Sequence, residues 1–177
     1  MRELTVRIRF VRPSLGNQKL RDGSGRFVFQ RGPSGHILFL ASWHHANMHL
    51  AAQLLGRHQV EVRDIFWDIN IDGRLRHDPW FRAYYNSGSN GRSRYSQHEA
   101  FFPGQVVGVN CIVPAAISQD DFWRLMAKAG QYKGLSPWKP GEFGLYEVLS
   151  IRPRRAPMDE SEEEAMREAL LREPRIR

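Results

Sequence analysis

Near the end of the chain a helix, a glycine- and proline-rich loop and an apolar strand follow one another directly. No other stretch restricts the fold as much. Ser118 with an acid three residues on, at Asp121, is a capping-box variant that starts a helix. Phe122, Leu125, Met126 and Ala129 then recur at helical spacing and predict one buried stripe, which Gly130 or Gly134 ends. The loop from Gly134 to Gly144 carries Trp138 and Lys139, and Phe143 to Ile151 reads as a strand. A helix with a single apolar stripe needs a sheet to cover, and the strand that follows is predicted to be part of that sheet.

The remaining elements fill in that sheet. Leu4, Val6, Ile8 and Phe10 alternate with Thr5, Arg7 and Arg9, so the first strand has one apolar face and one bearing two arginines. Gly16 to Gly25 is a polar loop, and Phe27–Phe29 with His36–Leu40 reads as a hairpin around Gly32-Pro-Ser-Gly35. Ser42 is expected to cap a helix over Trp43–Leu55, with Trp43, Ala46, Leu50 and Leu54 as its core stripe and Gly56 as its stop. Val60 to Ile71 is extended and ends at an Asp72-Gly73 turn, whereas Asn86 to Gln97 has the composition of a mobile loop. Gln105 to Val113 is a strand that turns Val107, Val109, Cys111 and Val113 to one side. The order predicts an α+β protein. The expected form is a ferredoxin-like (RRM-like) β-α-β-β-α-β sandwich, a four-stranded antiparallel sheet with both helices on one face, with an insertion after the first strand and a C-terminal helical tail. Arg7 and Arg9 are expected on the sheet's open face.

Residues 1–157 read as one domain and residues 158–177 as a charged helix or tail, with acids at its start and arginines at its end as the helix dipole prefers. A chain 41% apolar and 11% aromatic can build a core. Its formal charge of +7 points to an anionic partner, with nucleic acid ahead of a membrane surface. The lone Cys111 excludes an intrachain disulfide and a multi-cysteine zinc site, and reads as a small buried hydrophobe. The first residues lack the apolar core of a signal peptide and no run is long enough to span a membrane, so no membrane partner and a cytoplasmic location are expected.

Arginine bonds phosphate oxygens bidentately and stacks on bases, so the basic set Arg7, Arg9, Arg12, Lys19, Arg21, Arg26, Arg92 and Arg94 is suited to single-stranded nucleic acid. Tyr95 and Trp138 add stacking surfaces, and Lys139 with the loop backbone adds a phosphate contact. Opposing this is a plain solvated basic surface with an ordinary helix-to-strand connection. His44, His45 and His49 lie on the first helix between His36 and His58. The H-x-x-x-H spacing lacks the central glutamate of H-E-x-x-H and a third ligand, so no metal and no cofactor are expected. His44 and His45 are the candidates for acid–base cleavage of RNA. Asp64, Asp68, Asn70 and Asp72 read as a strand's outward edge rather than as a two-metal site.

With this order of elements, and with Gly134, Pro140, Gly141, Phe143 and Gly144 between the second helix and the last strand, the chain resembles the RAMP superfamily of CRISPR-associated proteins. The segment Phe39 to Leu50 is similar to that family's entry into its first helix, and the Arg92/Arg94/Tyr95 loop falls where backbone subunits of the family carry a thumb-like hairpin. The resemblance implies single-stranded guide-RNA binding beside other protein subunits of a ribonucleoprotein complex. It also implies an alternative, a metal-independent endoribonuclease using His44 or His45. A third reading, a structural or adaptor protein of a phage or mobile element, treats the basic loops as assembly surfaces.

Overall fold

A computed structural model describes residues 1–32, 37–39, 41–58, 62–72, 80–86, 93–136 and 143–154. The protein is a mixed α+β fold. Its main sheet has the order β11(Tyr146–Pro153), β1(Arg2–Phe10), β10(Val106–Val113), β7(Phe66–Asp72), β6(Ile37–Leu38), β5(Gln30–Arg31). All of its neighbours pair antiparallel. Two helices, α1(Ala41–Leu54) and α2(Gln119–Tyr132), complete this layer. The alternation of β1 becomes its burial: Leu4, Val6, Ile8 and Phe10 are buried, and the first three sit directly opposite Cys111, Val109 and Val107 of β10. Burying both rows against the helices removes apolar area from water at about 25 cal/mol per Å².

Helix α2 forms as the sequence predicts. The Ser118 hydroxyl accepts the Asp121 N–H and donates to the Asp121 carboxylate, and Phe122, Leu125, Met126 and Ala129 are buried. At the other end the N–H groups of Lys133 and Gly134 both reach the Ala129 carbonyl at 3.0 Å, with Gly134 at φ 69°. The Gly134 conformation is left-handed, which glycine adopts without a Cβ clash.

Helix α1 departs from expectation. It begins at Ala41, so Ser42 lies inside it and does not cap it. Its buried side is Trp43, His44, Asn47, Met48, Ala51 and Ala52, while Leu54 is 47% exposed. The expected stripe is therefore rotated. Asn47 sets the rotation: its amide donates to the Trp43 carbonyl at 2.7 Å and to the Gly134 carbonyl at 2.9 Å, capping the exit turn of α2 from inside the core.

Two excursions leave this layer. The first lies between β1 and α1, as expected, but its pairing differs. β3(Gln18–Lys19) pairs with β4(Arg26–Val28), and β5 pairs with β6, so the hairpin joins Gln30–Arg31 rather than Phe27–Phe29 to Ile37–Leu38. The second is a long hairpin, β8(Trp80–Asn86) with β9(Ser93–Phe101), where a mobile loop was expected up to Gln97. β9 also pairs with β2(Ser14–Leu15) and, in parallel, with β4, which makes a second sheet. Polarity hides this strand, because the buried positions before its terminal Phe101 are Ser96, His98 and Ala100. His98 is satisfied internally. Its Nδ1–H donates to the Gly16 carbonyl at 2.8 Å and its Nε2 accepts the Ser96 hydroxyl at 2.6 Å, while its ring stacks on Phe27. The aromatic rings of Phe10, Phe29 and Phe39 gather around Phe101 at the end of β9 and lock the two sheets together. β7 starts at Phe66, later than the extended run expected from Val60.

Candidate nucleic-acid interface

The face of β1 turned away from the core is built by register. Thr5 lies between Asn110 of β10 and Arg152 of β11, and Arg7 lies between Gly108 and Ser150. These residues, with Pro153 and Arg154, line an open concavity of about 720 Å³. No carboxylate and no aromatic ring is among them. Arg7 and Arg152 are exposed, and neither has an ion pair with a described residue. Arg154 is anchored at the rim, its N–H donating to the Glu3 carbonyl at 2.9 Å and its Nη1 lying 3.4 Å from the Glu3 carboxylate. The Thr5 hydroxyl donates to Asn110 Oδ1 at 2.8 Å. Positive charge, hydroxyls and an amide on an open shelf can bind phosphodiester and sugar oxygens.

Arg9, expected beside Arg7, is on the same face but is spoken for. Its Nε donates to the Glu147 carboxylate opposite it, which raises the guanidinium pKa and cancels its charge locally. Arg152, Ser150 and Asn110 were not anticipated as site residues. The reason is a bulge at Leu149: Arg7 pairs with Ser150 but Ile8 pairs with Val148, so one residue is extra and the strand's parity flips. Simple alternation read from Tyr146 assigns Ser150 and Arg152 to the core face. Counting back from the strand's Arg152-Pro153 end is the signal that finds them.

The other predicted contacts lie elsewhere. Arg12 is exposed just beyond β1, and Lys19 and Arg21 are exposed at and beyond β3. Arg26 in β4 donates from Nε to Gln97 Oε1 at 3.0 Å and lies 4.7 Å from the Trp80 ring centroid. Arg94 and Tyr95 are in β9, register partners of Tyr85 and Tyr84. Arg92, Trp138 and Lys139 lie outside the described residues, as does the tail beyond residue 154. At the base of the glycine-rich loop, a Cβ on Gly134 would stand 2.5 Å from the Gly144 carbonyl carbon, and the Leu135 N–H donates to Gly144 O at 2.8 Å. These two glycines let the loop's stems touch backbone to backbone.

His44 is buried in the core, and burial, aided by His45, pushes its pKa down to about 3, so it is neutral at pH 7. His45 is exposed, with its ring centroid 6.2 Å from that of His49. His36 lies outside the described residues. Among the described residues no cluster of His, Cys, Asp and Glu is placed to hold a metal ion. No described helix is long and apolar enough to cross a membrane.

No family model matches the sequence, and no curated protein matches it. Similarity is found among solved structures. A chain of a Type III-B Cmr-beta assembly bound to cognate target RNA is 13% identical, with a TM-score of 0.63 over 85% of this chain and 60% of that one. A chain of a Type IV-B CRISPR complex is 9% identical, with a TM-score of 0.49 over 89% of this chain and 94% of that one. This chain thus spans 60% of the Cmr-beta chain's length, and what the two share at this identity is a fold.

Proposed function

We propose that the protein binds single-stranded RNA along the open face of its main sheet, as one subunit of a CRISPR-type ribonucleoprotein complex. One observation carries the reading: Arg7 and Arg152, diagonal to each other across β1 and β11, both line a concavity whose described lining contains no carboxylate. Their guanidinium groups grip phosphate oxygens bidentately, while Thr5, Asn110 and Ser150 supply partners for sugar hydroxyls. The fold supports it too. Reduced to β1, α1, β7, β10, α2 and β11, the chain follows β-α-β-β-α-β with the sheet order β11-β1-β10-β7, the pattern of a ferredoxin-like, RAMP-like domain. One solved structure that shares this fold is of an assembly bound to RNA.

Fluorescence anisotropy with a short single-stranded RNA at low salt tests the reading. The wild-type protein is expected to bind, and Arg7→Glu combined with Arg152→Glu to abolish binding while leaving the circular dichroism spectrum unchanged. Absence of binding by the wild-type protein at low salt refutes the proposal, as does a double variant that binds like wild type.

A further inference from the structure

The concavity on the main sheet's open face can hold phosphates, but its lining contains no aromatic ring for a base. The second sheet supplies one. Arg26, Gln97 and Arg82 form one row across β4, β9 and β8, and Trp80 lies two residues before Arg82, on the same side by alternation. The opposite side of this ribbon carries Ala83, Ser96, His98 and Ala100, all buried, so the row with Trp80 is the outer face. There the Arg26 guanidinium rests 4.7 Å from the Trp80 ring centroid and is oriented by its Nε–H bond to Gln97. Its two terminal nitrogens have no partner among the described residues. Glu99, opposite Trp80, is already held by both terminal nitrogens of Arg31 at 2.9 Å and by the Phe29 N–H, and the Asp22 carboxylate, bonded to Ser24, interacts with Arg26 through charge. Two residues farther along the hairpin, Tyr84 and Tyr95 are register partners.

We infer that the Trp80–Arg26 pair is a base-stacking site for single-stranded nucleic acid. An unpaired base stacks on the indole and guanidinium planes, and the terminal nitrogens of Arg26 hold the adjoining phosphate. The inference rests on the RNA-binding reading above and divides the labour between two faces: backbone on the main sheet, bases on the β8–β9–β4 ribbon.

The test compares an oligouridine with an abasic sugar-phosphate oligomer of equal length. Wild type is expected to bind the oligouridine about tenfold more tightly than the abasic oligomer. Trp80→Ala removes that preference and leaves abasic binding within about twofold, whereas Trp80→Phe retains part of it. Arg7→Ala weakens both ligands alike. A preference unchanged in Trp80→Ala, or equal loss of both ligands, overturns the stacking site. Failure of wild type to bind either oligomer overturns the RNA-binding reading itself. Should Trp80→Ala misfold, photocrosslinking of 4-thiouridine RNA to wild-type protein decides: adducts at Trp80 uphold the site, and adducts confined to other segments reject it.

Discussion

Replacing Arg7 by alanine separates the open-face reading from a generic effect of net charge. Two arginines without an ion pair to a described residue, Arg7 and Arg152, border the concavity, while Arg154 is paired with Glu3. Each phosphate neutralised on a single strand contributes about −0.7 to the slope of log K against log salt. The face therefore predicts a slope of about −1.4 and a fall in affinity of about sevenfold between about 50 and about 200 mM salt. Arg7→Ala should reduce the slope to about −0.7 and the fall to about 2.5-fold. The control is the Arg9–Glu147 pair, which lies on the same face with its charges already cancelled. Arg9→Ala combined with Glu147→Ala preserves net charge and should leave slope and affinity within about twofold of wild type. Arg7 is exposed and has no ion pair with a described residue, so its loss should shift stability by no more than about 0.5 kcal/mol. The assay is anisotropy across a salt series, with thermal unfolding as the fold check. A slope unchanged in Arg7→Ala refutes the reasoning, and so does equal flattening in the Arg9/Glu147 double variant.

Two further outcomes follow from the core. Gly130→Ala gains about 1 kcal/mol of helix propensity, but its Cβ would stand 2.3 Å from the Tyr146 carbonyl oxygen where α2 crosses β11. Overpacking of that severity costs about 3 kcal/mol, so the variant should be less stable by about 2 kcal/mol and melt about 5 °C lower. A melting point equal to or above that of wild type contradicts the close crossing. His44 has a folded-state pKa of about 3 against 6.5 for the free side chain, because burial disfavours its charged form. Between those values the unfolded chain binds the extra proton, so stability is full above about pH 6.5 and falls by about 1.4 kcal/mol per pH unit on acidification. His98, lowered chiefly by burial, acts in the same direction. Urea unfolding of wild type at pH 7 and pH 5 should show this loss, and His44→Leu should show less of it. Identical losses in the two proteins would place His44 in contact with solvent.

What could be read from the sequence was whatever local periodicity decides. The alternation of Leu4–Phe10, the Ser118 cap with the Phe122–Ala129 stripe, and the Val107–Val113 row each report on one element alone, and each appears in the structure as read. So does the α+β class, which follows from their order. Where a residue's environment is set by a distant part of the chain, local pattern failed. The rotation of α1 is decided by the Asn47 bond to the Gly134 carbonyl, 87 residues away. Ser93–Phe101 is a strand because buried His98 finds its acceptor at Gly16, which hydropathy cannot register. The glycine-rich loop that anchors the sequence reading has stems joined through Gly134 and Gly144, while the candidate interface lies on the open sheet face. That face was half legible. Alternation put Arg7 and Arg9 on it, but only the tertiary structure showed that Glu147 neutralises Arg9 and that the Leu149 bulge brings Ser150 and Arg152 round to join Arg7. A bulge changes which side of a strand every later residue occupies, and its position is settled by pairing with a strand from the other end of the chain.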